Sequence, residues 1–241
     1  MFAFDALGTR WEIETDEPID QALQARILAR VDRFDATYSR FRPDSLVSRI
    51  AMASQGGRFE FPTDSVALFE LYDRLHAITR VAMDPLVGRD LELLGYDRTY
   101  SLTPAPESAW VEARSRGRCW SVDVVREGAW VSTQRPLVID VGAAGKGYLV
   151  DLVADILRED GFLSFVVDGS GDLRHAGAEN LRVGLEHPLD PLRRHRRSEL
   201  ARSGALCVRH QPPRVGRRAP PHPGCPYRRP RSRCGGDVGG R

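Results

Sequence analysis

The 241-residue sequence has a single lysine, Lys146, against 34 arginines. Its four cysteines form no C-x-x-C pair, so their spacing supports neither a zinc site nor a disulfide framework. No stretch approaches the roughly 20 apolar residues that a membrane helix needs. The strand-like segment TRWEIET begins at residue 9, so no signal peptide is expected after Met1. We therefore expect a cytoplasmic protein as written, or an exported or membrane-anchored one if an N-terminal segment is missing.

The net charge of +2 hides two regions of different composition. Residues 192–241 hold 14 arginines against Glu199 and Asp237, a net charge of +12, whereas residues 1–191 carry −10. Apolar residues make up 41% of the chain, which is enough for a core. We predict one domain over residues 1–191 and a disordered tail, rich in arginine, proline and glycine, over residues 192–241.

The apolar periodicity predicts an α+β fold. Helical spacing covers residues 20–34, 65–79 and 148–157. An alternating hairpin strand is expected in residues 1–15, and short strands are expected at residues 120–124, 129–132, 137–139, 163–167 and 181–185. Because the hairpins are mixed with only a few helices, we expect mixed or antiparallel sheets with flanking helices, not a doubly wound sheet.

The segment RPLVIDVGAAGKGYLVD, residues 135–151, is the clearest candidate site. Asp140 follows an apolar run, and a glycine-rich turn containing Lys146 then leads into a predicted helix. Backbone N–H groups at such a turn and the helix dipole favour a phosphate. The spacing matches neither a P-loop nor a Rossmann fingerprint, and the alternative is a plain turn whose glycines permit tight packing.

Five ordered blocks of the sequence carry a family resemblance. They are LGT at residues 7–9, SRFRPDSLVSRI at 39–50, MDPLVGRDLELLGY at 83–96, IDVGAAGKGYLVD at 139–151 and VDGSGDLRHAG at 167–177. In this order they resemble the blocks of the ApbE family, the FAD:protein FMN transferases, which move FMN from FAD onto a threonine of a flavoprotein subunit. The resemblance implies an ApbE-like, T-fold-like architecture, a target flavoprotein as partner, and FAD and Mg²⁺ as substrate and cofactor.

The resemblance also implies site residues, each named here at its position in this chain. The residues implied to line the FAD site are Leu7, Phe41, Ala82, Met83, Asp84, Asp140 and Lys146. Ala143 is implied to offer its backbone carbonyl to Mg²⁺. Leu7 and Phe41 replace the family's usual Met and Tyr, and Gly145 replaces an Ala, which suggests a looser turn.

The chemistry implied for these residues is cleavage of the FAD pyrophosphate, which releases AMP. Phosphoryl transfer depends mainly on positioning and on neutralising the charge of the phosphate oxygens. We expect Lys146 to pair with a phosphate or a flavin acceptor atom, and Asp140 to hold the turn and the ribityl or phosphate region. Asp172 is interpreted as a residue that stabilises its own turn.

The resemblance stops in the tail. Family members continue with a block H-H-I-x-D-x-x-T-G, which this chain lacks. With GC-rich codons for residues 208–229, a one-base shift of the reading frame yields HHILDARTG in that place. We therefore interpret the tail as an out-of-frame translation and expect the chain as printed to be inactive, because residues that complete the metal site are missing.

Two alternatives remain open from the sequence. The first is a flavin-binding remnant that holds FAD or FMN without transferring it. The second takes the 14 tail arginines as a nucleic-acid-binding arm, since arginines neutralise phosphates. Few aromatic residues are interleaved with those arginines, only Tyr227 among them, and this makes the nucleic-acid reading the weaker one.

Overall fold

The structure, a computed structural model, describes residues 1–187, 190–200 and 203–207. The strands in these ranges are β1 (Phe2–Ala6), β2 (Thr9–Thr15), β3 (Gly57–Glu60), β4 (Val124–Glu127), β5 (Trp130–Thr133), β6 (Phe165–Asp168), β7 (Asp172–Ala176), β8 (Leu181–His187), β9 (Asp190–Leu200) and β10 (Ser203–Cys207). The helices are α1 (Gln21–Tyr38), α2 (Leu46–Met52), α3 (Ser65–Ile78), α4 (Gly88–Leu93), α5 (Glu107–Ser115), α6 (Trp120–Asp123) and α7 (Gly145–Glu159), with a 3₁₀ turn at Pro85–Val87.

The strands form antiparallel sheets. The largest has the order β1-β2-β6-β7-β10, a second has the order β3-β5-β4, and β8 pairs with β9. The first hairpin pairs Ala6 with Thr9 across a two-residue turn, in which Leu7 and Gly8 have φ values of 52° and 73°. Antiparallel sheets with flanking helices confirm the predicted α+β class.

Three long helices supply 13 of the 28 residues in the buried apolar core of the described part of the chain. The side chain of Asp20 begins α1 by accepting a hydrogen bond from the Leu23 N–H (2.7 Å), which satisfies a free donor of the first turn. The helix predicted at residues 65–79 is confirmed as α3, and those predicted at 20–34 and 148–157 are confirmed as the longer α1 and α7. Helix α7 packs against β6 and β7 of the main sheet and against α1. Trp11 and Ile13 of β2 are fully buried and belong to the same apolar cluster.

Two of the predicted strands are wrong. Residues 137–139 are buried at Leu137 and Ile139 but pair with no strand in the described part of the chain. This segment instead crosses the 3₁₀ turn, where the Asp140 N–H donates to the Pro85 carbonyl (2.8 Å). Residues 120–123 form the short helix α6, because the Asp123 carboxylate accepts the Cys119 N–H (2.8 Å) and closes a helical turn there.

The predicted tail is described only in part. Strand β9 crosses the boundary predicted at residue 191, and that boundary stays a prediction. The disorder predicted for residues 192–241 likewise stays a prediction, although within that range β9 pairs with β8 and β10 pairs with β7. The proposed reading-frame error at residues 208–229, and the arginines there, lie outside the described residues. Among the described helices, none is long and apolar enough to cross a membrane.

Candidate functional site

A cleft of about 460 Å³ opens between the first hairpin, the end of α1 and the start of α7. The residues that line it are Leu7, Gly8, Thr9, Phe34, Asp35, Tyr38, Ser39, Arg40, Phe41, Arg42, Tyr96, Tyr100, Asp140, Val141, Gly142, Gly145 and Lys146. Four of the five sequence blocks therefore meet here, although they are spread over residues 7–151 of the chain. Four predicted site residues, Leu7, Phe41, Asp140 and Lys146, share its wall.

A buried ion pair forms the floor of the cleft. Arg40 Nε donates to Asp140 Oδ2 at 2.6 Å, and its Nη1 donates to the Tyr96 carbonyl at 2.7 Å. The Arg40 side chain is only 4% exposed, and its remaining nitrogen, Nη2, is buried without a hydrogen-bond partner among the described residues. A desolvated guanidinium with one donor unused has capacity for a further acceptor.

The glycine turn is held by its own backbone more than the sequence suggests. The Gly142 N–H donates to Asp140 Oδ1 (2.7 Å), and the N–H groups of Ala144 and Gly145 both donate to the Val141 carbonyl. These three donors are therefore occupied, which leaves Lys146 and the helix dipole as the main attractions for an anion. The Tyr72 hydroxyl also accepts the Ala144 N–H (3.2 Å), and burial raises the pKa of Tyr72.

Gly145 does not loosen the turn, contrary to the sequence-based expectation. A Cβ at this position would lie 2.8 Å from Val141 Cγ2 and 3.4 Å from Phe34 Cζ. Gly145 is buried, so α7 starts in direct contact with α1. The absence of a side chain is what allows this close approach.

Lys146 joins the first glycine turn to the second. Its Nζ donates to the Ser170 carbonyl (3.0 Å) and lies 3.3 Å from Asp172 Oδ2. Ser170 has φ 58°, in the turn between β6 and β7. The sequence predicts that Asp172 stabilises its own turn, but its carboxylate faces the only lysine, and the Asp168 carboxylate accepts the turn N–H of Gly171 (2.9 Å).

Three aromatic rings form one side of the cleft. Phe41 stacks on Tyr100 with ring centroids 5.1 Å apart and an interplanar angle of 8°, and Tyr96 packs edge-on against both. The Arg40 guanidinium lies over the Phe41 ring at 4.3 Å and over the Tyr96 ring at 4.9 Å. Burial, followed by the neighbouring Tyr100, raises the pKa of Tyr96.

The predicted residues Ala82, Met83 and Asp84 do not line this cleft. Asp84 points into the protein, where Oδ1 accepts the Leu86 N–H (2.8 Å) and Oδ2 accepts the Trp120 N–H (3.0 Å). Ala143 stands exposed in the glycine turn beside the cleft residue Gly142. The roles assigned to these four residues stay predictions.

Sequence reasoning missed Arg40, Tyr96 and Tyr100. Arg40 precedes Phe41 in the second block and Tyr96 ends the third, so both were quoted without a role. Their signal was weak, because one arginine among 34 and two tyrosines near a turn are unremarkable in a sequence. Only the fold brings Arg40 to Asp140, a hundred residues later.

The comparisons with known proteins cover the same five sequence blocks. The family model described as "ApbE family" matches residues 7–209. A protein named FAD:protein FMN transferase from Klebsiella pneumoniae is 26% identical over 195 residues, covering 76% of this chain and 56% of its own. One of the same name from Haemophilus influenzae is 28% identical over 167 residues, covering 64% of this chain and 47% of its own. The chain spans about half the length of these curated relatives.

Solved structures share the fold. The flavin transferase ApbE from Vibrio cholerae superposes with a TM-score of 0.70 at 24% identity, covering 83% of this chain and 66% of that one. The ApbE protein from Thermotoga maritima gives a TM-score of 0.70 at 23% identity, with coverages of 85% and 68%. Since the family model spans most of the sequence and the fold agrees, this chain belongs to the ApbE family.

Proposed function

We propose that the protein to which this chain belongs is an FAD:protein FMN transferase, which moves FMN from FAD onto a threonine of a target flavoprotein and releases AMP. The observation that carries the proposal is the cleft itself. It combines an aromatic wall, a buried arginine and the single lysine, and these suit a flavin ring, a polar chain and a phosphate respectively. The names of the relatives at 26% and 28% identity support the same reaction.

The residues of the cleft have distinct proposed roles. Phe41 and Tyr100, now stacked on each other, offer flat apolar faces to the flavin. Lys146 binds a phosphate oxygen, for which it exchanges its contact with Asp172. Asp140 holds the ribityl or phosphate region while it fixes the Gly142 N–H and the Arg40 guanidinium. Leu7 closes the apolar side at the first hairpin.

Magnesium fits the oxygen donors near the turn only in part. Mg²⁺ in phosphate-transfer sites is usually held by one or two protein oxygen ligands together with substrate phosphates. The Ala143 carbonyl is the proposed protein ligand, whereas Asp140 is already engaged by Arg40 and by Gly142. When bound, the ion would neutralise charge on the pyrophosphate. Further ligands would come from FAD and from the residues that a restored reading frame would supply.

The test separates binding from transfer. FAD affinity would be measured by quenching of flavin fluorescence on titration with the chain as printed and with a version whose reading frame is restored after residue 207. Transfer would be measured as covalent FMN on a threonine-bearing acceptor peptide in the presence of Mg²⁺. We expect both chains to bind FAD and only the restored chain to transfer FMN. Absence of FAD binding by both would refute the proposed function.

A lysine variant tests the cleft directly. Lys146→Met removes the cation that we assign to a phosphate, and a lost charge-assisted hydrogen bond corresponds to a roughly tenfold or greater loss of FAD affinity. The matched control is Arg10→Met, which removes an exposed cation on β2. If FAD binds but neither chain transfers FMN, the flavin-binding remnant is the better description.

A further inference from the structure

A second cluster of reactive side chains lies outside the cleft. His76 comes from α3, Asp84 precedes the 3₁₀ turn, and Cys119 precedes α6. His76 and Cys119 are 5% and 2% exposed, and the Asp84 side chain is 11% exposed. One potential ligand atom from each of the three lies within 4.8 Å of the others. Imidazole, thiol and carboxylate so close together and so shielded from water form a set typical of metal sites.

The distances match the edges of a coordination tetrahedron. Cys119 Sγ lies 3.7 Å from His76 Nε2, and the Ser121 hydroxyl lies 3.4 Å from the sulfur and 3.5 Å from the same nitrogen. For Zn²⁺, metal–ligand bonds of about 2.1–2.3 Å in a tetrahedron place neighbouring ligand atoms roughly 3.4–3.8 Å apart. These three atoms therefore already stand at the spacing that one central ion would impose.

The orientation of the imidazole supports a metal at Nε2. The other ring nitrogen, Nδ1, is 3.0 Å from the Met83 carbonyl, to which it can only donate. This hydrogen bond assigns the proton to Nδ1 and leaves the Nε2 lone pair directed at Cys119. Histidines that bind metals commonly donate their second N–H to a carbonyl or carboxylate in this manner.

The cluster lies beside a concavity that opens to solvent. Cys119 borders a second concavity, of about 430 Å³, whose wall includes Arg118 and Arg135. Both guanidinium groups are paired with acids, Arg118 with Asp90 (2.6 Å) and Arg135 with Asp123 (2.7 Å). A cation entering beside Cys119 therefore does not meet two uncompensated positive charges.

We propose that His76, Cys119 and Asp84 bind a transition-metal ion of the Zn²⁺ class, with Ser121 or water at the fourth position. Thiolate and imidazole ligands select such ions, whereas Mg²⁺ prefers oxygen ligands alone. The carboxylate is the ligand that would have to turn towards the ion, because Asp84 Oδ2 lies 3.6 Å from Nδ1 of His76 and accepts the Trp120 N–H. The spacing of cysteines in the sequence does not reveal this site, because its ligands come from three separate segments.

The ion would hold three segments of the chain together. It would connect α3, the segment at residues 82–84 and the start of α6, and the Met83 carbonyl is already held by His76. This metal site is independent of the proposed transferase activity, because its binding and its effect on stability can be measured without flavin.

The experiment uses Co²⁺ as a spectroscopic probe in the full chain. In the reference protein Cys207, Cys225 and Cys234 are replaced by serine, so that a thiolate-to-cobalt absorption band can come only from Cys119. We expect one Co²⁺ per chain with that band and with tetrahedral d–d absorption, displaced by Zn²⁺ but not by Mg²⁺. Adding Cys119→Ser should abolish the band, and His76→Gln should weaken Co²⁺ binding at least about tenfold.

A control variant and a thermal measurement accompany the cobalt titration. His175→Gln removes another buried histidine, on β7, and should leave the cobalt spectrum unchanged. In the reference protein Zn²⁺ should raise the melting temperature, since a ligand that binds only the folded state stabilises it. This measurement serves even if Cys119→Ser does not fold. A reference protein without a stoichiometric thiolate band, or with no thermal shift on adding Zn²⁺, overturns the proposal.

Discussion

Two aspartates predicted to serve the same flavin site, Asp140 and Asp84, are placed in opposite ways. Each closes a local turn by accepting the N–H of the second residue after it, Gly142 at 2.7 Å and Leu86 at 2.8 Å. The second oxygen makes the difference. In Asp140 it receives the Arg40 guanidinium on the floor of the cleft, and in Asp84 it receives the Trp120 backbone N–H inside the protein.

This comparison teaches that a local motif fixes the turn but not its surroundings. The hydrogen bond to the second following residue is encoded within three residues, as in any Asx turn. The partner of the other oxygen comes from 100 residues away for Asp140 and from 36 residues away for Asp84. One aspartate therefore compensates a buried charge, whereas the other satisfies backbone donors, and their removal should have different consequences.

The largest expected effect is that of Asp140→Ala. It leaves the Arg40 guanidinium, 4% exposed, without its counter-ion, and loss of one member of a buried ion pair costs about 3 kcal/mol or more. We expect the free energy of unfolding, measured by urea denaturation, to fall by that amount. A fall below about 1 kcal/mol would mean that solvent reaches Arg40 and that the cleft floor is not desolvated.

A double variant identifies the cause of that loss. In Arg40→Met the apolar stem is kept and the charge is removed, so Arg40→Met with Asp140→Ala should recover much of the stability lost in Asp140→Ala alone. The exposed pair Arg116 and Glu112 is the matched control, since both side chains are more than half exposed. Either single alanine substitution there should change stability by less than about 1 kcal/mol.

Asp84→Ala should have the second largest effect. It leaves the N–H groups of Leu86 and Trp120 without their acceptor, and unsatisfied buried donors cost about 1–3 kcal/mol. Urea denaturation with EDTA present measures this loss without any contribution from metal. In Asp84→Asn the amide oxygen retains one acceptor, so we expect this variant to lose less. Equal losses for the two variants would indicate that the charge, and not the hydrogen bonds, is what matters at this position.

The same distinction explains what the sequence could predict. Periodicity predicted α1, α3 and α7 because one buried face repeats within each helix, and the glycine-rich turn was recognised from adjacent residues. The strand predicted at residues 137–139 was wrong, because periodicity cannot distinguish a buried segment that pairs with no strand from a buried strand. The Arg40 ion pair and the cluster at Cys119 were missed because each joins segments that only tertiary packing brings together.

Gly145→Ala tests how tightly the Asp140 turn is packed. Its Cβ would lie 2.8 Å from a methyl group of Val141, which can move, so we expect a loss of about 1 kcal/mol in the free energy of unfolding. Gly147→Ala, in the same helix, is the matched control. Its Cβ would have no neighbour closer than Asp172 at 3.9 Å, and the better helix propensity of alanine should leave stability unchanged or slightly higher. Gly145→Ala as stable as Gly147→Ala would show that the turn is looser than its contacts imply.

The smallest expected effect concerns a third aspartate that closes its own turn, Asp97, whose carboxylate is exposed. Asp97 accepts the Thr99 N–H at 2.9 Å, and hydrogen bonds from Ser101, followed by Thr99, lower the pKa of Asp97 to about 2. An unfolded aspartate has a pKa of about 3.9. The contribution of Asp97 to the stability of the folded protein is therefore present above about pH 4 and is lost as the pH falls towards 2. Because this turn positions Tyr100 against Phe41, the near-ultraviolet circular dichroism of the aromatic wall should decrease over that window. In Asp97→Asn the signal should lack this step, and an identical step in both proteins would assign it to other carboxylates.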